Sequence, residues 1–184
     1  MTPSAIENRL ELAGASPRRA MVEGKRGEMS DPAVAQQPQS LLFTIANVEC
    51  ALPAEVVQGV ERTLEITPVP NTEPWVAGIV QAWGGIVSVV DLQAFFGLPA
   101  QTLTPRSRLV VVTRGDLTVG LLVNSVVEMR SLGDGFASRL DARRVPEWAQ
   151  PYALGAAALG ERMVTLLDPD KVVLSQKMRH YRAE

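Results

Sequence analysis

The chain has 184 residues and a net charge of −2, with 46% apolar and 21% charged residues, an ordinary balance for one soluble globular domain with length to spare. It offers no global basic field to nucleic acid or anionic lipid, no uncharged apolar run near the roughly 18 residues of a membrane span, and no start resembling a signal peptide. Cys50 is the single cysteine, which excludes an internal disulfide and a thiolate metal cluster, and a cytoplasmic home is the default expectation.

Residues 1–39 differ in composition from the rest. Ile6, Leu10 and Ala13 have helical spacing, so residues 4–13 predict a weak helix ended by Gly14. Pro17, Gly24, Gly27, Pro32, Pro38 and several charges follow, and the expectation is a disordered N-terminal extension. A translation start at Met21 or Met29 is the cheaper account of this segment. Order is expected from Ser40, with a domain over residues 40–181.

Leu41 to Ala46 reads as a strand, Asn47-Val48 as a turn, and Glu49 to Pro53 as the returning strand with Cys50 and Leu52 on one face. With no His or Lys close in sequence to activate it, Cys50 reads as core. Val56, Val57, Val60 and Leu64 predict a short helix or turn leading into a strand. Pro68, Pro70 and Pro74 then force an extended loop up to Trp75.

The stretch from Val76 to Leu98 is the centre of the chain. Val76, Ile79, Val80, Ile86, Val87, Val89 and Val90 are apolar and suit a buried or half-buried pleated surface. Gly84-Gly85 reads as a tight hairpin turn needing positive φ. Asp91 is placed to cap a short helix, Leu92 to Phe96, that stops at Gly97.

A polar link at residues 99–107 follows. Arg108 to Thr113 and Leu117 to Val123 read as a hairpin about the turn Arg114-Gly115-Asp116, and Val126 to Leu132 as a further strand. Residues 133–146 read as a solvated loop carrying Arg139, Arg143 and Arg144. Ala153 to Gly160 is rich in small residues and can lie close to other backbone. Met163 to Leu167 is the last strand. Asp168 then caps a terminal helix over residues 169–180, with Pro169 at its first position and Val172 and Val173 facing inward.

About nine or ten short strands with few helices point to an all-β barrel or sandwich. The link at 99–107 divides them into two groups of similar size, which makes two small barrels plausible beside a single sandwich. No P-loop or dinucleotide fingerprint is present. His180 is the only histidine and reads as a helix-end residue rather than a catalytic base. Asp91, Asp168 and Asp170 have capping explanations that need no metal. Nothing singles out a carboxylate pair, so neither an enzyme nor a cofactor is expected.

The central stretch resembles the signature of the CheW family of bacterial chemotaxis coupling proteins: a glycine, a few apolar residues, Asn-Leu-Arg-Gly, an apolar run, then Pro-Val-Val-Asp-Leu. Gly78 and the apolar residues after it fit. Gly84 stands at the motif glycine, and Val89-Val90-Asp91-Leu92 matches the end. Val57-Gln58-Gly59-Val60 resembles the family's Val-Gln-Glu-Ile. Val119 to Val123 followed by Asn124-Ser125-Val126, and Ala158 to Met163 with Leu166-Leu167-Asp168, resemble later family segments in the family's order. The likeness runs from about Leu41 to Val173.

The resemblance implies two five-stranded SH3-like barrels sharing a hydrophobic core, a C-terminal helix, and no cofactor. It implies a non-enzymatic adaptor joining chemoreceptor cytoplasmic tips to the regulatory domain of a CheA-type histidine kinase, without nucleic acid and without membrane insertion. The partner-binding positions it implies are Val57, Gly59 and Val60 in one segment and Gly78, Gln81, Trp83 and Gly84 in the other. Two positions depart from the family: Trp83 replaces the arginine before the turn glycine, and Gly59 replaces the frequent glutamate. Trp83 offers a large amphipathic surface instead of a charge. The alternatives are a CheW-like regulator of a pilus or gliding pathway, and a barrel that binds a small ligand or single-stranded nucleic acid. The latter would call for a basic, aromatic-lined face that the scattered aromatic residues do not make evident.

Overall fold

The computed structural model describes residues 38–62, 65–82 and 84–179. Residues 1–37, where a weak helix is expected over 4–13, and Leu64, Trp83 and His180 lie outside the described residues.

Among the described residues, ten strands form two five-stranded sheets. The first sheet contains β1 (Gln39–Ile45), β2 (Val48–Pro53), β8 (Ser125–Ser131), β9 (Ala153–Leu159) and β10 (Arg162–Leu167), in the order β8-β1-β2-β10-β9. The second contains β3 (Val57–Arg62), β4 (Val76–Ala82), β5 (Gly85–Asp91), β6 (Arg108–Arg114) and β7 (Leu117–Val123), in the order β3-β6-β7-β5-β4. This is the SH3-like two-barrel architecture that the resemblance implies.

The link at 99–107 does not divide the sheets. It returns the chain from β5, through the short helix α1 (Leu92–Phe95), to β6 of the same sheet. The chain changes sheet at the 3-10 turn Ala54–Val56 and at Asn124, the single residue between β7 and β8. Local composition marked the polar link, but sheet membership is set by long-range pairing.

Alternation explains why the central strands are apolar on both faces. Along β6, Val110 and Val112 enter a common core, while Leu109 and Val111 enter a separate core of their own sheet. In β1, Leu41, Phe43 and Ile45 enter the common core and Leu42 the small core of the first sheet. The common core therefore takes residues from both sheets, together with Leu167, Val172 and Val173. Cys50 and Leu52 are both fully buried in it, on one face of β2.

The caps form as the sequence predicts. Asp91 accepts from the backbone N–H groups of Gln93 and Ala94 at 3.0 and 3.1 Å. Asp168 accepts from those of Asp170 and Lys171, opening α2 (Pro169–Val173). The terminal helix is not continuous: α3 (Gln176–Arg179) is a separate turn. Ser175 causes the break, because its hydroxyl donates to the Val172 carbonyl at 3.0 Å and accepts from the Met178 N–H at 3.3 Å.

Two hairpin turns sit one residue earlier than expected. The β1–β2 turn is Ala46-Asn47, with φ of 47° and 66°, because a two-residue turn matching strand twist takes positive φ at both positions. In the central hairpin Ala82 pairs with Gly85, so Gly85 opens β5 and Gly84, whose φ is 74°, precedes it in the turn.

Candidate partner-binding surface

The seven implied positions fall into separate places. Val57, Gly59 and Val60 lie on β3, one edge of the second sheet, while Gly78, Gln81 and Gly84 lie on or beside β4, the other edge. Val57 pairs with Val112, Gly59 with Val111 and Val60 with Val110, and a bulge sits at Gln58. Val57 and Val60 are half-buried against the common core, so their outer atoms alone are available to a partner.

Gly78 is buried and its place is structural. Thr67, beyond β3, exchanges both backbone hydrogen bonds with Ile79 of β4 at 2.9 Å. This bridge draws the segment after β3 onto the far edge of the sheet. Gly78 has φ of 142°, and a Cβ there would lie 2.2 Å from the Thr67 carbonyl oxygen.

Gln81 and Gly84 are exposed at the β4–β5 tip. Gln81 pairs with Ile86, and Ile86 is 75% exposed, more than the other large apolar side chains that reach solvent among the described residues. The sequence groups Ile86 with the apolar residues of a half-buried or buried pleated surface, without saying which face each takes. Ile86 and Val87 are adjacent and point to opposite faces; Val87 packs in the core of this sheet, while the face that Ile86 takes is open to solvent at this end of β5. Gly84 has open space where a Cβ would stand. From Gln81 to Ser88 the sequence of the tip contains no charged residue.

The face of the second sheet leads from this tip to the C-terminal helices. Ser88 is in register with Val119 on β7. Ser88, Leu117, Val119 and Met178 line a small cleft of about 50 Å³. Leu117 and Met178 also border a wider cleft of about 390 Å³ with Leu174, Asp116 and Arg179.

Charged groups at this end are engaged with each other. The Arg114 guanidinium donates from Nε and Nη2 to the two carboxylate oxygens of Asp170, tying β6 to α2. These bonds hold the Asp170 carboxyl below the usual carboxylate range and raise Arg114 further. Under the barrel junction, Phe95 and Phe96 pack against Trp75, Trp148 and Tyr152 with ring centroids 5.0–5.7 Å apart. Lys177 lies over the Phe95 ring at 5.3 Å.

Arg143 and Arg144 both reach the Asp141 carboxylate, at 3.0 and 3.9 Å, and Arg139 donates to the Gly135 carbonyl, so each guanidinium has a partner within its own loop. Arg143 pairs with Asp141 at 3.0 Å and is 91% exposed, as a solvated loop implies. Among the described residues no three His, Cys, Asp or Glu side chains come together as a metal set, and no helix is long and apolar enough to cross a membrane.

Residues 39–177 match the CheW-like domain. A chemotaxis protein CheW from Klebsiella aerogenes is 30% identical over 142 residues, which cover 75% of this chain and 82% of that protein. A chemotaxis protein CheW from Rhizobium meliloti is 26% identical over 141 residues, 74% of this chain and 88% of the relative. The crystal structure of the scaffolding protein TtCheW from Thermoanaerobacter tengcongensis superposes with a TM-score of 0.63 at 22% identity, over 72% of this chain and 89% of that one, a likeness of fold.

Proposed function

This chain belongs to the CheW-like domain family, and from that premise we propose that it is a non-enzymatic adaptor coupling chemoreceptor cytoplasmic tips to the regulatory domain of a CheA-type histidine kinase. Its place of action is the cytoplasmic side of a receptor array. Contact is made by outer atoms of Val57, Gly59 and Val60 on one edge of the second barrel, and by Gln81, Trp83 and Gly84 at the β4–β5 tip. Gly78 contributes by holding that tip to the rest of the barrel.

The observation that carries this reading is the hairpin tip. It stands on a barrel closed by the Thr67–Ile79 bridge, and it turns Gln81 and a large aliphatic side chain, Ile86, to solvent. A rigid scaffold presenting an exposed apolar anchor is what a protein-contact surface needs. Trp83 takes the family's arginine position with an indole, a residue type enriched among energetic hot spots.

The test is capture of the tagged full chain from its own cells, with mass spectrometry of what is retained. A CheA-type kinase and receptors together support the adaptor and name its pathway. Receptors without the kinase point to a divergent or inhibitory regulator. A clean monomer that retains neither and carries RNA or a metabolite overturns the reading. Trp83→Arg, which puts back the family's charge, is expected to weaken capture of this chain's own partners. Unchanged capture would remove Trp83 from the contact.

A further inference from the structure

We propose that Arg162 is a clasp for the edge strand of the first sheet. Its guanidinium holds carboxylates from β2 and β8 at one end of that sheet, and this charge does for β8 what an apolar anchor does for β3 in the second sheet. Loss of the clasp releases β8 and leaves the rest of the fold closed.

The two sheets are built alike, so their positions correspond one by one. The orders β8-β1-β2-β10-β9 and β3-β6-β7-β5-β4 place the parallel pair at the same point, β2 with β10 and β7 with β5. Both edge strands bulge at the same step, β8 at Val127 and β3 at Gln58. Glu128, beside Leu42, therefore stands where Gly59 stands beside Val111. Met129, beside Leu41, stands where Val60 stands beside Val110. Arg162 and Gly85 each open the returning strand of a hairpin, and Glu49 and Thr118 are each the second residue of theirs.

The two edge strands differ in what fixes them. No side chain of β3 or β8 is fully buried. On β3, Val57 and Val60 both pack against the common core. On β8, Val126 does so, but Met129, in the place of Val60, is 46% exposed. The charges fall the other way. Gly59, Gly85 and Thr118 give the second sheet no ionisable group at these places. In the first sheet, Arg162 Nη2 donates to Glu128 Oε1, and Arg162 Nη1 lies 3.1 Å from Glu49 Oε1. The second contact lies outside hydrogen-bond geometry, so charge alone carries it. Arg130 Nη1 is 3.5 Å from Glu128 Oε1, within the same strand. The bond from Arg162 holds the Glu128 carboxyl below the usual carboxylate range, so it is charged at neutral pH.

Alternation turns these groups inward. Glu49 is in register with Val164, Glu128 is in register with Leu42, and Arg162 is two residues before Val164; Leu42 and Val164 fill the small core of the first sheet. The Glu49 side chain is 15% exposed, against 37% and 38% for Arg162 and Glu128. Taking Arg162 away leaves the Glu49 carboxylate shielded from water without its cation, a state that β8 relieves by opening. β8 is the edge of its sheet, so its opening breaks the ladder with β1 and no other.

The experiment is amide hydrogen exchange of the full chain read by mass spectrometry, with β3 as the internal reference for β8. It compares the parent, Arg162→Met, and Arg162→Met combined with Glu49→Gln. The expected result is that Arg162→Met speeds exchange over residues 125–131 about tenfold or more, while residues 57–62 stay within about threefold of the parent. Adding Glu49→Gln is expected to slow β8 again by about threefold or more, because the uncompensated charge is gone. A role for Arg162 in packing alone gives no such recovery. Exchange of β8 within about threefold of the parent in Arg162→Met, β8 and β3 accelerating together, or no recovery with Glu49→Gln each overturns the clasp. Where Arg162→Met does not fold, the parent decides. Raising salt to about 1 M is then expected to speed β8 about threefold relative to β3, because the partly exposed Arg162–Glu128 pair is screened. A ratio of β8 to β3 exchange that salt leaves unchanged overturns the clasp.

Discussion

The missing side chain of Gly78 is what lets the Thr67 carbonyl reach Ile79: a Cβ on Gly78 would stand 2.2 Å from that oxygen. Both backbone hydrogen bonds of the Thr67–Ile79 bridge depend on this approach. Gly78→Ala is therefore expected to destabilise the fold by roughly 2–4 kcal/mol, from the clash together with the unfavourable φ. Urea unfolding measures it. The same variant is expected to lose partner capture only to the extent that it unfolds. An unchanged midpoint with lost capture would instead make Gly78 a contact residue.

Asn124 joins the two barrels at the point where the chain passes between them. Its Oδ1 accepts from the Ala46 N–H at 2.7 Å, its backbone N–H donates to Thr44, and its Nδ2 donates to Gln101 Oε1 at 2.8 Å. Gln101 in turn donates its own N–H to Asp91 Oδ2 at 2.9 Å, and its Nε2 is buried without a partner among the described residues. Asn124→Ala is expected to cost about 1–3 kcal/mol, by leaving the Ala46 donor and the Gln101 amide unpaired. Asn124→Asp is expected to cost less. The new carboxylate keeps the Ala46 bond, and a Gln101 amide turned over presents its spare Nε2 to it. Thermal melts of the two variants give the order, and hydrogen exchange at Ala46 locates it. Equal losses would remove the amide turn from the explanation.

How much of this was legible in the sequence follows from the range of each interaction. The caps at Asp91 and Asp168 are decided within three residues, and both were readable. The alternation that buries Cys50 and Leu52 together was readable for the same reason. Sheet membership was not, because nothing near residues 99–107 records that β3 pairs with β6 and β5 with β7. The exposure of Ile86 is not legible, because two adjacent β-branched residues leave the phase of alternation open until the register with β4 is known. Ser175 carried a signal for the helix break, a hydroxyl able to bond both the preceding and following turns. The motif glycine at Gly78 could be found by resemblance, but its reason, the Thr67 carbonyl, lies beyond the proline-rich loop's near end.

The Arg114–Asp170 pair sets a dependence on pH. Hydrogen bonds from Arg114 depress the Asp170 carboxyl in the folded state. A depressed folded value means that the pair's contribution is present above the unfolded carboxylate value of about 3.9, and is lost as pH falls through the lower folded value. Both side chains are partly exposed, 38% and 52%, so the effect is small and screened by salt. The expected observation is a melting-temperature gap between the parent and Arg114→Gln that is open at neutral pH and closes in acid. A gap that stays constant down to pH well below the carboxylate range would show that Arg114 acts through packing alone.

Cys50 supplies a probe of global opening. It is fully buried, and burial first, with the neighbouring Glu49 charge second, pushes its thiol up to about 12. At pH 8 a thiol with that value is ionised in about one molecule in ten thousand, against roughly a quarter for an ordinary cysteine. A thiol reagent is therefore expected to modify the native chain only through unfolding, far more slowly than it modifies the chain in denaturant. The native rate should then follow stability: Gly78→Ala and Asn124→Ala accelerate it in proportion to their loss in the unfolding equilibrium, while Ile86→Lys leaves it unchanged. Rapid modification of the native parent would mean that the core around β2 opens locally, without the rest of the fold, and mass spectrometry of the labelled protein over time distinguishes the two.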